Sequence, residues 1–135
     1  MIILDTSFLV AFHNASDVHH ERAAGLMERI VAGEWGDVLL LEYVFLETTT
    51  VLALRRDLPT AVRVGGHLLS SREVRFSGAS DHFAAAWDVF RSQERAALSF
   101  VDAAIVAVAR AVGSPFVATF DRGFRGVHGV EVLPT

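Results

Sequence analysis

The sequence predicts an α/β fold in which a parallel sheet is covered by helices on both faces. Short apolar runs alternate with longer helical segments along the whole chain, a pattern typical of such folds. The length of 135 residues suits one compact domain spanning 1–135, and no linker, repeat or low-complexity tract divides it. A hydrophobic fraction of 52% and a mean hydropathy of +0.39 are enough to fill one core and agree with an additional apolar partner surface.

The short apolar runs predict the strands. Runs of three to four apolar residues, such as VLLL before Glu42, are typical of strands that are buried on both faces of a sheet. The predicted strands span residues 2–4, 38–41, 74–76, 116–119 and 130–133.

The segments between these runs predict helices. An amphipathic stretch follows Asp17 and ends near Gly33, the turn at Pro59 separates two further helices, and Gly113 closes the most regular one. A cap at Ser80 or Asp81 begins another helix. The predicted helices span residues 7–12, 19–33, 43–56, 60–71 and 100–112, with one more that runs from the cap at Ser80 or Asp81 to about Gln93.

Composition excludes several function classes. The chain has no cysteine, which removes disulfides, thiol catalysis and thiolate zinc sites. All 12 basic residues are arginine, which removes Schiff-base chemistry and P-loop phosphate binding. The net charge of −4 is unusual for a protein that binds nucleic acid through the backbone alone, although a metal site can supply positive charge locally.

The sequence also indicates where the protein acts. The N-terminal segment MIILDTSFLVAF has no basic leader, so we expect no signal peptide. The apolar run at 103–109 is far shorter than a membrane span, so we expect a cytoplasmic protein without membrane segments.

Four acidic residues stand in positions that are unusual for solvated charges. Asp5 directly follows a predicted strand and Asp121 follows the segment FVATF, whereas Glu47 and Asp102 lie among apolar residues near the starts of helices. Glu47 is spaced to share a face with Val44, Val51 and Leu54. In a parallel sheet, all four positions fall at the edge formed by the carboxyl ends of the strands.

Each of these acids also has a purely structural interpretation. Asp5 would cap the first helix, and Glu47 would border an apolar stripe with its carboxylate in solvent. Asp102 would interact with a helix dipole, and Asp121 would form a turn in the segment DRG.

The joint placement of the four acids favours a metal site over these interpretations. Four carboxylates in one pocket would repel one another, and divalent cations relieve that repulsion. Oxygen ligands suit Mg²⁺ or Mn²⁺, and such a site usually acts on phosphate esters. The neighbouring Ser7 and Thr119 are candidates for orienting an acid or a water, and Arg122 and Arg125 for contacting substrate phosphates.

Two other classes of acidic phosphate-processing protein fit less well. Haloacid-dehalogenase-type phosphatases require a second aspartate two residues after the first, where this chain has Ser7, and they also require a lysine. Receiver domains require a lysine as well. The histidines show no ligand spacing and are predicted at the surface; they are His13, His19, His20, His67, His82 and His128.

Four segments of this chain resemble PIN domains, and among them the VapC-type toxins of bacterial toxin–antitoxin pairs. The segments are IILDTS, YVFLETTTVL, LSFVDAAIVAVAR and VATFDRGF, and the likeness covers the chain in order. The resemblance implies a three-layer α/β/α fold with a central parallel five-stranded sheet. It implies an endoribonuclease dependent on Mg²⁺ or Mn²⁺, with Asp5, Glu47, Asp102 and Asp121 at the family's acidic positions.

The resemblance also implies partners, namely an RNA substrate, a second copy of the chain in a homodimer and a VapB-like antitoxin that blocks the pocket. Glu42 departs from the family pattern, because relatives often carry a small polar residue or aspartate near there. We expect Glu42 to be peripheral to the pocket.

Two alternatives to a toxin stay open on sequence alone. One is a housekeeping PIN nuclease that processes RNA or acts on DNA, and the other is a non-catalytic binding module with a degenerate site. The sequence does not name the RNA, because selectivity depends on surface shape and loops.

Overall fold

The computed structural model describes all residues, 1–135, and contains a five-stranded sheet and six α-helices. The strands are β1 (Ile2–Leu4), β2 (Val38–Leu41), β3 (Val74–Ser77), β4 (Phe116–Ala118) and β5 (Glu131–Leu133). The helices are α1 (Thr6–His13), α2 (His20–Val31), α3 (Glu42–Arg55), α4 (Leu58–Ser70), α5 (Phe83–Arg91) and α6 (Phe100–Val112). Short 3-10 turns cover Ser80–His82 and Arg122–Phe124. No helix has the length and apolar character that crossing a membrane requires.

All neighbouring strands are parallel, in the order β3-β2-β1-β4-β5, which confirms the predicted α/β fold. The chain builds outward from β1 to β2 and β3, then returns to place β4 on the other side of β1. The order therefore reverses between β1 and β4. In open parallel sheets, the crevice beyond the carboxyl ends of the strands at such a reversal is the usual ligand site.

The helices form two groups. Helix α1 contacts both α2 and α3, and α3 contacts α4, while α5 packs mainly against α6. Because parallel crossovers are right-handed, the connections that build the sheet in opposite directions place their helices on opposite faces. The strands between these layers are nearly all apolar, and Ile2, Ile3 and Leu40 are fully buried. A single core cluster of 30 buried apolar residues joins the layers.

Apart from those of α6, the helix boundaries differ from the predicted ones by one to three residues, and two of these differences have a clear local cause. The helix α4 begins at Leu58, two residues earlier than expected, because Asp57 caps it by accepting a 2.7 Å hydrogen bond from the Thr60 amide. Pro59 lies in its first turn, where a missing amide costs no helical hydrogen bond. The predicted cap at Ser80 or Asp81 is wrong, since these residues lie in a 3-10 turn without a side-chain cap and α5 begins at Phe83.

The helix α6 spans the predicted residues and ends at Gly113, whose φ of 67° is the left-handed conformation that glycine adopts without strain. This helix leads directly into β4. Its C-terminal end therefore lies near the amino edge of the sheet, and its first turn lies near the carboxyl edge, beside the end of β1.

Candidate active site

All four acids singled out by the sequence line one cavity of about 490 Å³. The elements that meet there are the segment after β1, the middle of α3, the first turn of α6 and the segment after β4. The complete lining consists of Asp5, Thr6, Ser7, Val10, Asp17, His19, Glu47, Val51, Arg55, Asp102, Phe120 and Asp121. The cavity thus carries five carboxylates and one guanidinium.

Asp5 is buried, with 3% of its surface exposed, and a pair of hydroxyls holds its side chain. Oδ2 of Asp5 accepts hydrogen bonds from Ser7 Oγ at 2.7 Å and from Thr119 Oγ1 at 2.6 Å. Although Asp5 occupies the position before α1, its side chain makes no capping hydrogen bond. The capping interpretation of this residue is therefore wrong. Its carboxylate instead accepts the hydrogen bond from Thr119 that joins the end of β1 to the end of β4.

Ser7 and Thr119 also bind the backbone that follows β4. Ser7 Oγ accepts a hydrogen bond from the Phe120 amide at 2.9 Å, and Thr119 Oγ1 accepts one from the Asp121 amide at 2.9 Å. Each hydroxyl has one proton, and both protons are donated to Asp5. The two hydroxyl oxygens also lie 3.1 Å apart, with neither proton directed at the other oxygen. The result is a closed network that fixes Asp5 relative to the loop carrying Asp121.

Asp102 combines a structural role with its place in the cavity. It belongs to a capping box, because its amide donates to Ser99 Oγ at 3.1 Å and its Oδ2 accepts from the Ser99 amide at 2.9 Å. The predicted stabilisation of the helix start is therefore present, through hydrogen bonds as well as the dipole. With 7% exposure, the carboxylate is held against the cavity wall.

Asp121 and Glu47 are less enclosed. Asp121 is exposed and begins the 3-10 turn, where its Oδ1 accepts a 2.8 Å hydrogen bond from the Gly123 amide. The predicted turn role is thus present alongside its place in the cavity. Gly123 is required sterically, since a Cβ there would lie 2.6 Å from the carbonyl oxygen of Ala97.

Glu47 is half-buried beside the face of α3 that packs into the core, and that face consists of Val44, Thr48 and Leu52. Leu54 was expected to share the face of Glu47, but it is 82% exposed. The buried face of α3 therefore does not include Leu54, and Glu47 lies at the edge of that buried face.

The charges of the acids interact. Burial raises the pKa of Asp5, against hydrogen bonds from Thr119 and Ser7 that lower it. Burial, together with repulsion from Asp5 and Asp121, raises the pKa of Asp102 to about 6, against hydrogen bonds from Ser99. Such mutual destabilisation of buried carboxylates is what a nearby cation would relieve.

The donor chemistry of the cavity fits a hard divalent cation, because its ligand-capable side chains are carboxylates and hydroxyls with one imidazole. No group of three acidic, histidine or cysteine side chains is spaced to hold one ion in the present arrangement. Oδ2 of Asp5 and of Asp102 is occupied by the hydrogen bonds described above, and Oδ1 of each accepts no hydrogen bond from a side chain. These two Oδ1 atoms are candidate ligand atoms, as are the carboxylate oxygens of Glu47, which accept no side-chain hydrogen bond.

Sequence reasoning missed seven lining residues, of which the four charged or aromatic ones are Asp17, His19, Arg55 and Phe120. The last follows β4 between two predicted site residues, a position that gave a usable signal. The other three have no such signal, because they come from the loop before α2 and from the last turn of α3. Arg122 was expected at the site, but it is exposed and does not line the cavity.

Two further expectations concern charged or polar residues outside the four acids. Glu42 lies outside the cavity lining, and its Oε2 accepts a 2.7 Å hydrogen bond from the Ala79 amide after β3. The prediction that all histidines are surface residues is wrong for His13, which is half-buried in a separate apolar cavity. His19, His20 and His82 are also only partly exposed.

Comparison with known proteins adds independent information. A sequence model of the PIN domain matches residues 2–130. The chain is 33% identical over 134 residues to the 23S rRNA-specific endonuclease VapC20 of two Mycobacterium tuberculosis strains, CDC 1551 and H37Rv, covering 99% of each chain. The crystal structure of VapC20 from this species, described as a toxin that cleaves the sarcin-ricin loop, superposes with a TM-score of 0.76 over 90% of both chains. The sequence-based resemblance is thereby confirmed, and the chain belongs to the PIN-domain family.

Proposed function

We propose that this protein is a metal-dependent endoribonuclease that acts as the toxin of a VapBC-type pair. The observation that carries the proposal is the position of Asp5 and Asp102, two buried carboxylates that line one cavity at the reversal of strand order. The similarity to an rRNA endonuclease over nearly the whole chain supports the same activity.

In this proposal, the carboxylates of Asp5 and Asp102 would hold Mg²⁺ or Mn²⁺. A bound divalent cation supplies a lowered pKa for a bound water and charge stabilisation for the phosphate being cleaved. Asp121 completes the site directly or through water, and Glu47 supports it from α3. The hydroxyls of Ser7 and Thr119 keep Asp5 in the orientation needed for binding.

The proposed substrate is RNA, and ribosomal RNA is the first candidate because the similar endonuclease is 23S rRNA-specific. Arg55 is the one guanidinium of the lining and is therefore the proposed contact for a substrate phosphate. Arg122 lies in the turn after Asp121 and is a candidate for an outer contact. A VapB-like antitoxin that covers the cavity and a homodimeric state complete the proposal, as does a cytoplasmic location.

The test combines activity with mapping of the product. Purified protein and a ribosome preparation are incubated with Mn²⁺ or with EDTA, and the 5′ ends of the resulting RNA are sequenced. We expect a discrete cleavage site that requires the metal and disappears with Asp102→Asn. Asp81→Asn, which changes an exposed carboxylate outside the cavity, is the matched control and should retain activity.

Cleavage that persists in EDTA, or equal loss with both variants, would contradict the proposed mechanism. Calorimetry without detectable Mn²⁺ binding would instead favour the degenerate binding module. An adjacent reading frame for a small antitoxin separates the toxin from a housekeeping nuclease.

A further inference from the structure

We propose that His19 is a base-stacking residue, on which a nucleobase beside the scissile phosphate packs during RNA binding. This inference rests on the proposed ribonuclease function and assigns part of its substrate recognition. It concerns the aromatic pair formed by His19 and Phe120, both of which line the acidic cavity.

The geometry of the pair is that of a stacked platform. The two ring centroids are 4.4 Å apart and the ring planes differ by 4°. Phe120 also packs against the fully buried Phe8, with ring centroids 6.5 Å apart. Both His19 and Phe120 line the cavity that contains Asp5 and Asp102, so the platform and the acids face the same space.

The pair is connected directly to the acids. The Phe120 amide donates to Ser7 Oγ, and the same hydroxyl donates to Oδ2 of Asp5. On the other side, the His19 amide donates a 2.8 Å hydrogen bond to Oδ1 of Asp17, another lining residue. A base resting on this platform would therefore be held at a defined position relative to Asp5.

His19 retains the capacity for a further partner. Its imidazole nitrogens make no hydrogen bond within the protein, and Phe120 is its one aromatic neighbour, so stacking occupies a single face of the ring. The guanidinium of Arg22 lies 5.5 Å from the centre of the Phe120 ring and adds positive charge beside the platform. His19 is partly exposed, and a partly exposed aromatic ring beside a cation is a combination that proteins use to stack unpaired RNA bases.

A purely structural role is the competing explanation, in which the pair only anchors the loop between α1 and α2. The two explanations differ in how they depend on the base. Stacking requires a ring at position 19 and a base in the RNA, whereas loop anchoring is indifferent to the RNA. A role in proton transfer differs again, because it requires an imidazole and would not tolerate phenylalanine.

The experiment measures KM and kcat for a short RNA oligonucleotide spanning the cleavage site mapped on ribosomal RNA. The variants are His19→Ala, His19→Gln and His19→Phe, with His128→Ala as a control at an exposed histidine outside the cavity. We expect the two ringless variants to raise KM roughly tenfold with a smaller change in kcat. His19→Phe should retain the wild-type KM, and His128→Ala should leave both constants unchanged.

The same oligonucleotide with an abasic site at each flanking nucleotide completes a double-mutant cycle. One abasic position should raise the KM of the wild-type protein by a similar factor, and should add nothing in His19→Ala. Unchanged KM in both ringless variants, independent penalties in the cycle, or failure of His19→Phe would each overturn the inference while wild-type cleavage upholds the proposed function. Absence of cleavage by the wild-type protein would instead overturn the proposed function.

Discussion

Thr119 donates a 2.6 Å hydrogen bond to Asp5 across 114 residues of sequence, and this contact joins the carboxyl ends of β1 and β4. Both residues are almost fully buried, with 1% and 3% exposure. The bond is formed where the strand order reverses, so the position of the proposed metal-binding carboxylate depends on correct pairing of two distant strands.

Replacing Thr119 with valine should lower cleavage activity about 10- to 100-fold, the range typical of residues that orient a metal ligand. Valine keeps the size of the side chain but removes the donor to Asp5 and the acceptor of the Asp121 amide. Unfolding experiments should show a loss of about 1–3 kcal/mol from the unpaired buried groups. Thr119→Ser, which retains the hydroxyl, should keep most of the activity; if it is as inactive as Thr119→Val, the hydroxyl is not responsible.

Ser99→Ala should lower both stability and activity, because it removes the hydroxyl half of the capping box that holds Asp102. The expected loss in the free energy of unfolding is about 1 kcal/mol. Asp57→Ala is the matched control, since Asp57 caps α4 away from the cavity. It should cost similar stability in denaturant unfolding while leaving the specific activity of the folded protein unchanged, and equal activity losses would contradict the role given to Ser99.

Divalent cations should stabilise the protein against heat. Because the pKa of Asp102 is raised to about 6, its native state binds protons more tightly than the unfolded chain does. The stabilisation that comes from this tighter proton binding by Asp102 is therefore present at low pH and is lost as pH rises from about 4 to about 6.

The stabilisation by a divalent cation is measured at pH 7, above that range. Calorimetry with Mn²⁺ at about 100 times its Kd should show about 2.7 kcal/mol of stabilisation, or about 10 °C in Tm.

The variant Asp102→Asn provides the comparison for that measurement. Without metal at pH 7 it should melt higher than the wild-type protein by a few degrees, because a repelling buried charge is removed. Its response to Mn²⁺ should be much smaller. A full Mn²⁺ response in this variant would place the cation elsewhere.

Arg55→Ala should raise KM for RNA and reduce the logarithmic salt dependence of binding by about one, as expected for the loss of one phosphate contact. Arg56 is the natural control, because it is adjacent in sequence and exposed but does not line the cavity. Fluorescence titrations of labelled RNA at several salt concentrations measure both effects. Identical slopes for Arg55→Ala and Arg56→Ala would show that general charge, and not a specific contact, accounts for the effect.

His13 should make the protein sensitive to acid. Burial, and then the nearby charges of His67 and Arg63, lower the pKa of His13 to about 4. The folded state therefore loses stability as pH falls from about 6.5, where the unfolded chain begins to bind the proton, towards 4. Since the ring is only half-buried, we expect a contribution on the order of 1 kcal/mol after allowing for solvent screening.

His13→Phe removes this dependence and should flatten the difference in unfolding free energy between pH 7 and pH 4.5. Asp5 and Asp102 contribute in the opposite direction over part of this range, so the comparison is made between the variant and the wild type at each pH. His128→Ala, at an exposed histidine, should not change the profile. A wild-type profile in His13→Phe would contradict the assignment.

Much of this protein is determined by its sequence alone. Runs such as VLLL and the regular segment from Phe100 to Gly113 specify strands and a helix through local apolar patterning and a left-handed glycine, and both elements have their predicted bounds. The alternation of such elements predicts a parallel sheet. The positions of Asp5 and Asp121 shortly after strands predicted which edge of the sheet they occupy, because chain direction decides the edge at which a strand ends.

Only the tertiary structure decided which other side chains reach the cavity. Arg55 and His19 enter it while Arg122 does not, because helix rotation and loop path set side-chain direction, and neither is encoded in residue spacing. The prediction for the face of α3 that carries Glu47 was wrong for the same reason. Leu54 has the sequence spacing to share that face, but it is exposed instead of packing into the core. The pairing of β1 with β4 likewise brought Thr119 to Asp5, a contact that arises from packing across the whole chain and not from any local pattern.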